Sequence, residues 1–394
     1  MLSPTAALQE FTKLFGPLDV QHVQIDKAVG RVLARPVTAP RDQRPFAASA
    51  MDGYAMQAAD ASPGNHLEIV GESSAGHSHH GTIISGTAVR IFTGAPMPKG
   101  ADKVVMQEQV SARKSSITLH QKISQKSFIK PTGGDFLAGE TMTAPRKIQP
   151  HDIMQLASMG LCTVPVYRKP AVALLSTGDE LVMPGGVPRA QQIFASNIYG
   201  LAALLREQGA DARILPIGAD NVASLTSAFS LCATADLIVT IGGSAAGDYD
   251  IVRNVTKTLG FITCFDRVDM RPGGSTMAGK LQNTPLIGLP GNPLPSMVCG
   301  QYFLRPAVQK MQGLGGQPLN SELARLGVDL DENRGSEHFI LAHAAVEYSQ
   351  LTIYPAARYP KSVLAPDARP NALLVRPPND PPKKIGDMVA VIRL

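Results

Sequence analysis

Between residues 170 and 312 short apolar runs alternate with helix-patterned stretches, and this alternation restricts the fold more than any other feature of the chain. Residues 171–175, 212–217, 237–241, 262–268 and 285–289 read as buried strands. Residues 197–208, 221–232 and 251–259 read as helices, with Gly209 and Gly260 as stops. A long helix is expected over 293–312. Runs that are apolar throughout are what strands covered on both faces require. Strand and helix in strict succession predict an open, mostly parallel α/β sheet with helices on both faces.

The flanks read differently. Pro36, Pro40 and Pro45 break regular structure, and short strands then follow at 67–69, 88–92, 103–107 and 116–120 between Gly and Pro turns. This predicts an inserted β-rich domain over 42–135. Around it, helical patterning at 6–15 and an apolar-periodic stretch at 23–33 precede the insertion, and a helix at 150–159 follows it. The helix at 150–159 is expected to pack back on the first ones, so 1–41 plus 136–169 would form a split helical domain. Residues 320–394 are strand-like and proline-rich, which predicts a small C-terminal β domain.

Composition excludes several function classes. Charged residues make up 18% of the 394 residues, the net charge is +5, and Lys and Arg are scattered. A nucleic-acid binder needs cations clustered on one face. Lys122, Lys126 and Lys130 lack an aromatic stacking platform and read as a solvated face. No apolar run reaches the roughly 18 residues of a membrane span, and no signal-peptide pattern opens the chain. Cys162, Cys232, Cys264 and Cys299 are far apart and form no CxxC pair. Free thiols in a reducing compartment, hence the cytoplasm, are the expectation. His79 and His80 are adjacent and point apart, so with His77 they read as an exposed loop rather than a metal site.

In an open parallel sheet, ligands bind beyond the carboxyl ends of the strands. The expected strands end in Ser176-Thr177-Gly178-Asp179-Glu180, Gly218-Ala219-Asp220, Gly242-Gly243-Ser244 through Asp250, Met270-Arg271-Pro272-Gly273-Gly274-Ser275, and Gly288-Leu289-Pro290-Gly291-Asn292-Pro293. Each combines glycine with a polar or charged residue. Glycines expose backbone N–H groups to a close ligand, and Gly291-Asn292 opens the long helix, whose N-terminus favours anions. Glu180, Asp220 and Asp250 can hold Mg²⁺, a hard cation that bridges carboxylates to phosphates. Donors and carboxylates on one rim point to a phosphorylated ligand with a metal.

Read together, several stretches resemble the MoeA/gephyrin E-domain family, the molybdopterin molybdenumtransferases. They are Ser49-Ala50-Met51-Asp52-Gly53-Tyr54-Ala55, Phe92-Thr93-Gly94-Ala95-Pro96, Val104-Val105-Met106-Gln107-Glu108, Ser176-Thr177-Gly178-Asp179-Glu180-Leu181, Gly242-Gly243 and Gly288-Leu289-Pro290-Gly291-Asn292-Pro293. Their order spans nearly the whole chain. The resemblance implies a split helical domain with an inserted β domain, a MogA-like molybdopterin-binding α/β domain and a C-terminal β-barrel-like domain. It implies a homodimer in which Asp52 and Thr93 of one subunit face the α/β domain of the other. The implied reaction inserts molybdate into the dithiolene of adenylylated molybdopterin, with Mg²⁺ and release of AMP. A MogA-like adenylyltransferase and molybdoenzyme-maturation proteins are the implied partners.

Residue by residue, the resemblance makes Asp52, Glu180, Asp220, Asp250 and Arg271 catalytic, with Glu180 and Asp250 on the metal. Thr93, Asp135, Ser176, Thr177, Gly178, Asp179, Gly242, Gly243, Ser244, Pro290, Gly291, Asn292, Pro293 and Ser362 would hold the cofactor. The chain departs from the family's KPGKP stretch, reading Arg271-Pro272-Gly273-Gly274-Ser275. Arg271 keeps a cation of different geometry, and Gly274 loses the second one. Arg358 and Lys361, just before Ser362, are possible replacements. Because of the lost cation, a non-catalytic carrier of the cofactor stands as the alternative reading.

Overall fold

The computed structural model describes residues 1–243, 251–355, 364–365 and 370–394. The expected α/β sheet is present, with spatial order Asp211–Ile214, Ala171–Ser176, Leu237–Ile241, Thr284–Leu289, Met277–Leu281, Phe261–Phe265. The first four strands are parallel; Met277–Leu281 is antiparallel to both of its neighbours. Side chains alternate between two buried faces. Val172 and Leu174 enter one core, Ala173 and Leu175 the other, which is why the strand is apolar from Ala171 to Leu175.

Helices Asn197–Glu207, Val222–Ser230 and Ile251–Thr258 lie where the patterning placed them. Asn221 caps the second by accepting the Ser224 N–H at 2.9 Å. The final helix is continuous in direction but not in winding. Pro293–Cys299 passes through a π-helical segment, Gly300–Leu304, into Arg305–Met311. Pro306 has no N–H to offer the carbonyl four residues back, so the wider winding falls just ahead of it.

Met277–Leu281 is a strand that the sequence pattern does not announce. It carries Ala, Gly and Lys rather than β-branched residues, and it exists because a two-residue turn, Gln282-Asn283, folds it onto Thr284–Leu289.

The N-terminal reading needs correction. Helix Pro4–Thr12 forms, with Ser3 as its cap, but Ala7, Leu8 and Phe11 join the core of the α/β domain. The stretch at 23–33 is not a helix. It is strand Val20–Gln24, a 3₁₀ turn Ile25–Lys27 and strand Val32–Leu33. Gly30, at φ +76°, interrupts it, and pairing with Thr163–Tyr167 overrides its helical periodicity. Helix Pro150–Ser158 packs on this sheet through Leu156 and Ile153, beside Ile25 and Ala28, not on helix Pro4–Thr12.

The inserted sheet runs Lys103–Met106, Gly53–Met56, Thr87–Ile91, His66–Ser73, Ser116–Leu119, Val110–Ala112. At the other end of the chain, Glu337–Glu347, Gln350–Pro355, Ser321–Leu326, Met388–Arg393 and Ala372–Arg376 close into a five-stranded barrel, because the first also pairs with the last. Tyr348 and Ser349, both at positive φ, make the two-residue turn of its first hairpin. The strand Met270–Arg271 is added to the barrel at Glu337-His338, and Phe339, Leu341, Leu373 and Ile392 share the core of the α/β domain. No helix among the described residues is long and apolar enough to cross a membrane.

Candidate functional site

The rim at the carboxyl ends of the parallel strands gathers four of the five expected loops. Thr177 N–H donates to the Ile241 carbonyl at 3.0 Å and Gly178 N–H to Gly218 at 3.2 Å. Gly242 N–H donates to Leu289 at 3.1 Å. Hence the loops at 177–180, 218–220, 242–243 and 290–293 lie side by side in the order of their strands. Ser176 and Pro290 are buried beneath them, while Gly291 and Asn292 are exposed at the start of the helix that Pro293 begins.

The glycines here are needed for space as well as conformation. A side chain at Gly178, whose φ is +143°, would collide with the Glu180 carboxylate. A Cβ at Gly242 would stand 2.8 Å from the Thr177 carbonyl oxygen, and one at Gly291 would stand 3.3 Å from the Gly242 Cα. Glu180 is thus folded back over Gly178. Asp179 accepts the Asp220 N–H at 3.1 Å, tying the first two loops together. Asp179, Glu180 and Asp220 are exposed, so their carboxylates can meet a ligand. Asn197 donates to the Gly291 carbonyl at 2.6 Å and so fixes the fifth loop to helix Asn197–Glu207. Sequence reasoning missed Asn197; its place at the start of an expected helix was the only signal.

Three buried hydroxyls under this rim, Thr177 Oγ1, Thr240 Oγ1 and Ser296 Oγ, have no hydrogen-bond partner among the described residues. Buried polar groups are nearly always paired, so these three hydroxyls mark the least satisfied part of the packing beneath the rim. Among the described residues no group of three or more His, Cys, Asp or Glu converges on a point. The exposed carboxylates suit Mg²⁺, which commonly takes one or two protein oxygens and completes its shell from substrate phosphates and water. Ser244, Asp250 and Ser362, with Arg358 and Lys361, lie outside the described residues.

Arg271 is held apart from these loops. It lies in the strand added to the barrel, and its guanidinium donates to His338 Nδ1 at 2.7 Å and approaches Asn333 Oδ1 at 3.5 Å. Gly273, two residues on, lies against Cys299, at the far end of the helix that Asn292 opens. Burial, Arg271 and Arg376 push the His338 pKa down to about 4. A neutral imidazole accepting at Nδ1 carries its proton on Nε2.

Asp52 and Thr93 meet in the inserted domain. One Asp52 oxygen accepts the Thr93 N–H at 2.7 Å and its hydroxyl at 2.8 Å. The Thr93 backbone N–H, then its hydroxyl, hold the Asp52 carboxyl below the usual carboxylate range. No hydrogen bond among the described residues joins this pair to the rim within one chain. Asp135 stands at the junction with the split unit, paired with Arg44 at 3.3 Å.

Residues 2–160 match the family described as the MoeA N-terminal region, domains I and II, and residues 173–310 match that described as a probable molybdopterin binding domain. The chain is 36% identical to a molybdopterin molybdenumtransferase of Nostoc sp. over 319 residues, covering 78% of this chain and 73% of that protein. It is 33% identical to the molybdopterin molybdenumtransferase of Haemophilus influenzae over 300 residues, covering 75% and 74%. A crystal structure of the molybdopterin biosynthesis protein MoeA from Pyrococcus horikoshii superposes with a TM-score of 0.82 at 23% identity, covering 100% of both chains.

Proposed function

Since the chain belongs to the molybdopterin molybdenumtransferase family and is a transferase of molybdenum cofactor biosynthesis, we propose that it carries out the Mg²⁺-dependent insertion of molybdate into adenylylated molybdopterin with release of AMP. The observation that carries this is the rim itself. Four loops place exposed carboxylates, close-packed glycines and a helix start side by side. That donor set fits a ligand holding both a phosphoanhydride and a polar ring.

In this reading Gly243 and Gly291 bring backbone donors to the substrate, Gly178 and Gly242 hold the loops close through their bonds to Gly218 and Leu289, and Pro290, Asn292 and Pro293 shape the loop beside them. Ser176, Thr177 and Asp179 support the first loop. Glu180 and Asp220, with Asp250 and Ser244 from the adjoining segment, hold Mg²⁺ and the adenylate. When bound, Mg²⁺ supplies charge neutralisation at the phosphoanhydride. Arg271, which stands apart from the rim and is fixed by neutral His338, offers its remaining N–H groups to an oxyanion, and Ser362 is assigned to the cofactor. Asp52 and Thr93 complete the site from the second subunit of a homodimer, and Asp135 lines the cleft between domains. Adenylylated molybdopterin would come from a MogA-like adenylyltransferase, and the product would pass to molybdoenzyme-maturation proteins, all in the cytoplasm.

The test is single-turnover incubation of the purified chain with adenylylated molybdopterin, Mg²⁺ and molybdate. AMP release that depends on molybdate and stops with a chelator supports the reading. Tight pterin binding without AMP release overturns it in favour of a carrier.

A further inference from the structure

Arg90 touches the chain neighbours of both Asp52 and Thr93, namely Gly53 and Phe92. It lies on strand Thr87–Ile91, directly opposite Tyr54. The centre of its guanidinium is 5.0 Å from the Tyr54 ring centroid and 4.9 Å from that of Phe92. One nitrogen donates to the Gly53 carbonyl at 3.2 Å, the other to the Gln107 side-chain oxygen at 2.6 Å. Gln107 in turn donates its backbone N–H to the Asp52 carbonyl at 3.2 Å. The carbonyls of Asp52 and Gly53 are therefore both tied down, and Phe92, one wall of the stack, leads directly into Thr93.

We propose that Arg90 is a positioning residue for the transferase reaction: it fixes the Asp52-Gly53 segment and Phe92 relative to each other, so that Asp52 and Thr93 are presented to the substrate as one rigid pair. This rests on the reading that Asp52 and Thr93 complete the site. An arginine is required because a planar fork can meet two ring faces while donating in two fixed directions. A lysine ammonium keeps the charge and loses that geometry. Gly53 packs closely on the neighbouring strand, where a side chain would collide with the Val105 carbonyl.

The experiment compares Arg90→Met, Arg90→Lys, Asp52→Asn and the double variant Arg90→Met/Asp52→Asn, each as the full chain, in AMP release at saturating adenylylated molybdopterin. Misplacement of a reacting pair by a fraction of an ångström should slow turnover by about 10–100-fold. We expect Arg90→Met to show that loss with half-saturation within about twofold, Arg90→Lys to recover only part of it, and the double variant to be no slower than Asp52→Asn. Should Arg90→Met fail to fold, as read by circular dichroism, Arg90→Lys and its double variant carry the same comparison. Turnover of the Arg90 variants within about twofold of the parent, or losses that multiply with that of Asp52→Asn, would overturn the proposal while leaving Asp52 in the site. Unimpaired Asp52→Asn would instead remove Asp52 from the site, and the role of Arg90 with it.

Discussion

Arg271 donates to Nδ1 of His338 at 2.7 Å, across the join between the α/β domain and the barrel. This contact requires a neutral imidazole, and burial, Arg271 and Arg376 hold the His338 pKa down at about 4. Unfolding frees the ring to take up a proton near its ordinary value of 6.5. The unfolded chain therefore binds the proton first, and the His338 contribution falls away as pH drops from 6.5 towards 4. Solvent screening of this half-buried ring limits the effect to about 1–2 kcal/mol. Glu337, whose pKa is raised by burial, acts in the opposite sense. The measurement is thus the difference between the parent and His338→Gln in denaturant unfolding at pH 7 and pH 4.5. The parent should lose more stability than the variant on acidification; equal losses would refute the assignment.

Gly178→Ala should act as a variant of Glu180 without touching it. At φ +143° an alanine is strained, and its methyl group would displace the Glu180 carboxylate. Stability should fall by about 1–2 kcal/mol. Turnover should fall nearly as far as in Glu180→Ala. Normal AMP release by Gly178→Ala would mean that the observed position of Glu180 is not the working one.

Thr93→Val removes the hydroxyl bond to Asp52 and keeps the backbone N–H, the larger cause of its lowered pKa. The Asp52 carboxyl should therefore rise part of the way towards the ordinary carboxylate value. Its pairing with Thr93, present above that value in the parent, should be lost at a less acidic pH in the variant. A ¹³C-carboxyl titration of Asp52 reads this directly, and an unmoved titration would contradict it.

What was legible in the sequence was whatever local patterning decides. Runs such as 171–175 read as strands buried on both faces, and the glycines and acids that follow them mark one rim. Partners far along the chain decided the rest. The stretch at 23–33 has helical periodicity, yet Val20–Gln24 finds Thr163–Tyr167 some 140 residues on. Arg271 was placed on the rim with the other loop ends, but two residues of its strand are captured by the barrel. Arg90 carried no signal at all, because its meaning depends on Tyr54, Phe92 and Gln107 meeting around it.

The packing that holds the rim's helix in place gives a last prediction. Phe303 sits in the π-helical segment, fully buried. Its ring meets Phe11 at 6.2 Å, Phe265 at 6.1 Å and Tyr302 at 5.1 Å, and Tyr302 meets Phe339 of the barrel at 4.9 Å. One side chain thus touches the N-terminal helix and the outermost strand of the sheet, and through Tyr302 it is coupled to the barrel. Phe303→Ala should cost about 3–5 kcal/mol, while Phe303→Leu, which keeps most of the volume, should cost under about 2 kcal/mol. Because the rim begins ten residues earlier, at Pro293, the Leu variant should turn over at close to the parent rate. Denaturant unfolding followed at two wavelengths would check the energies, and a loss below about 1 kcal/mol for Phe303→Ala would show that the three elements are held together elsewhere.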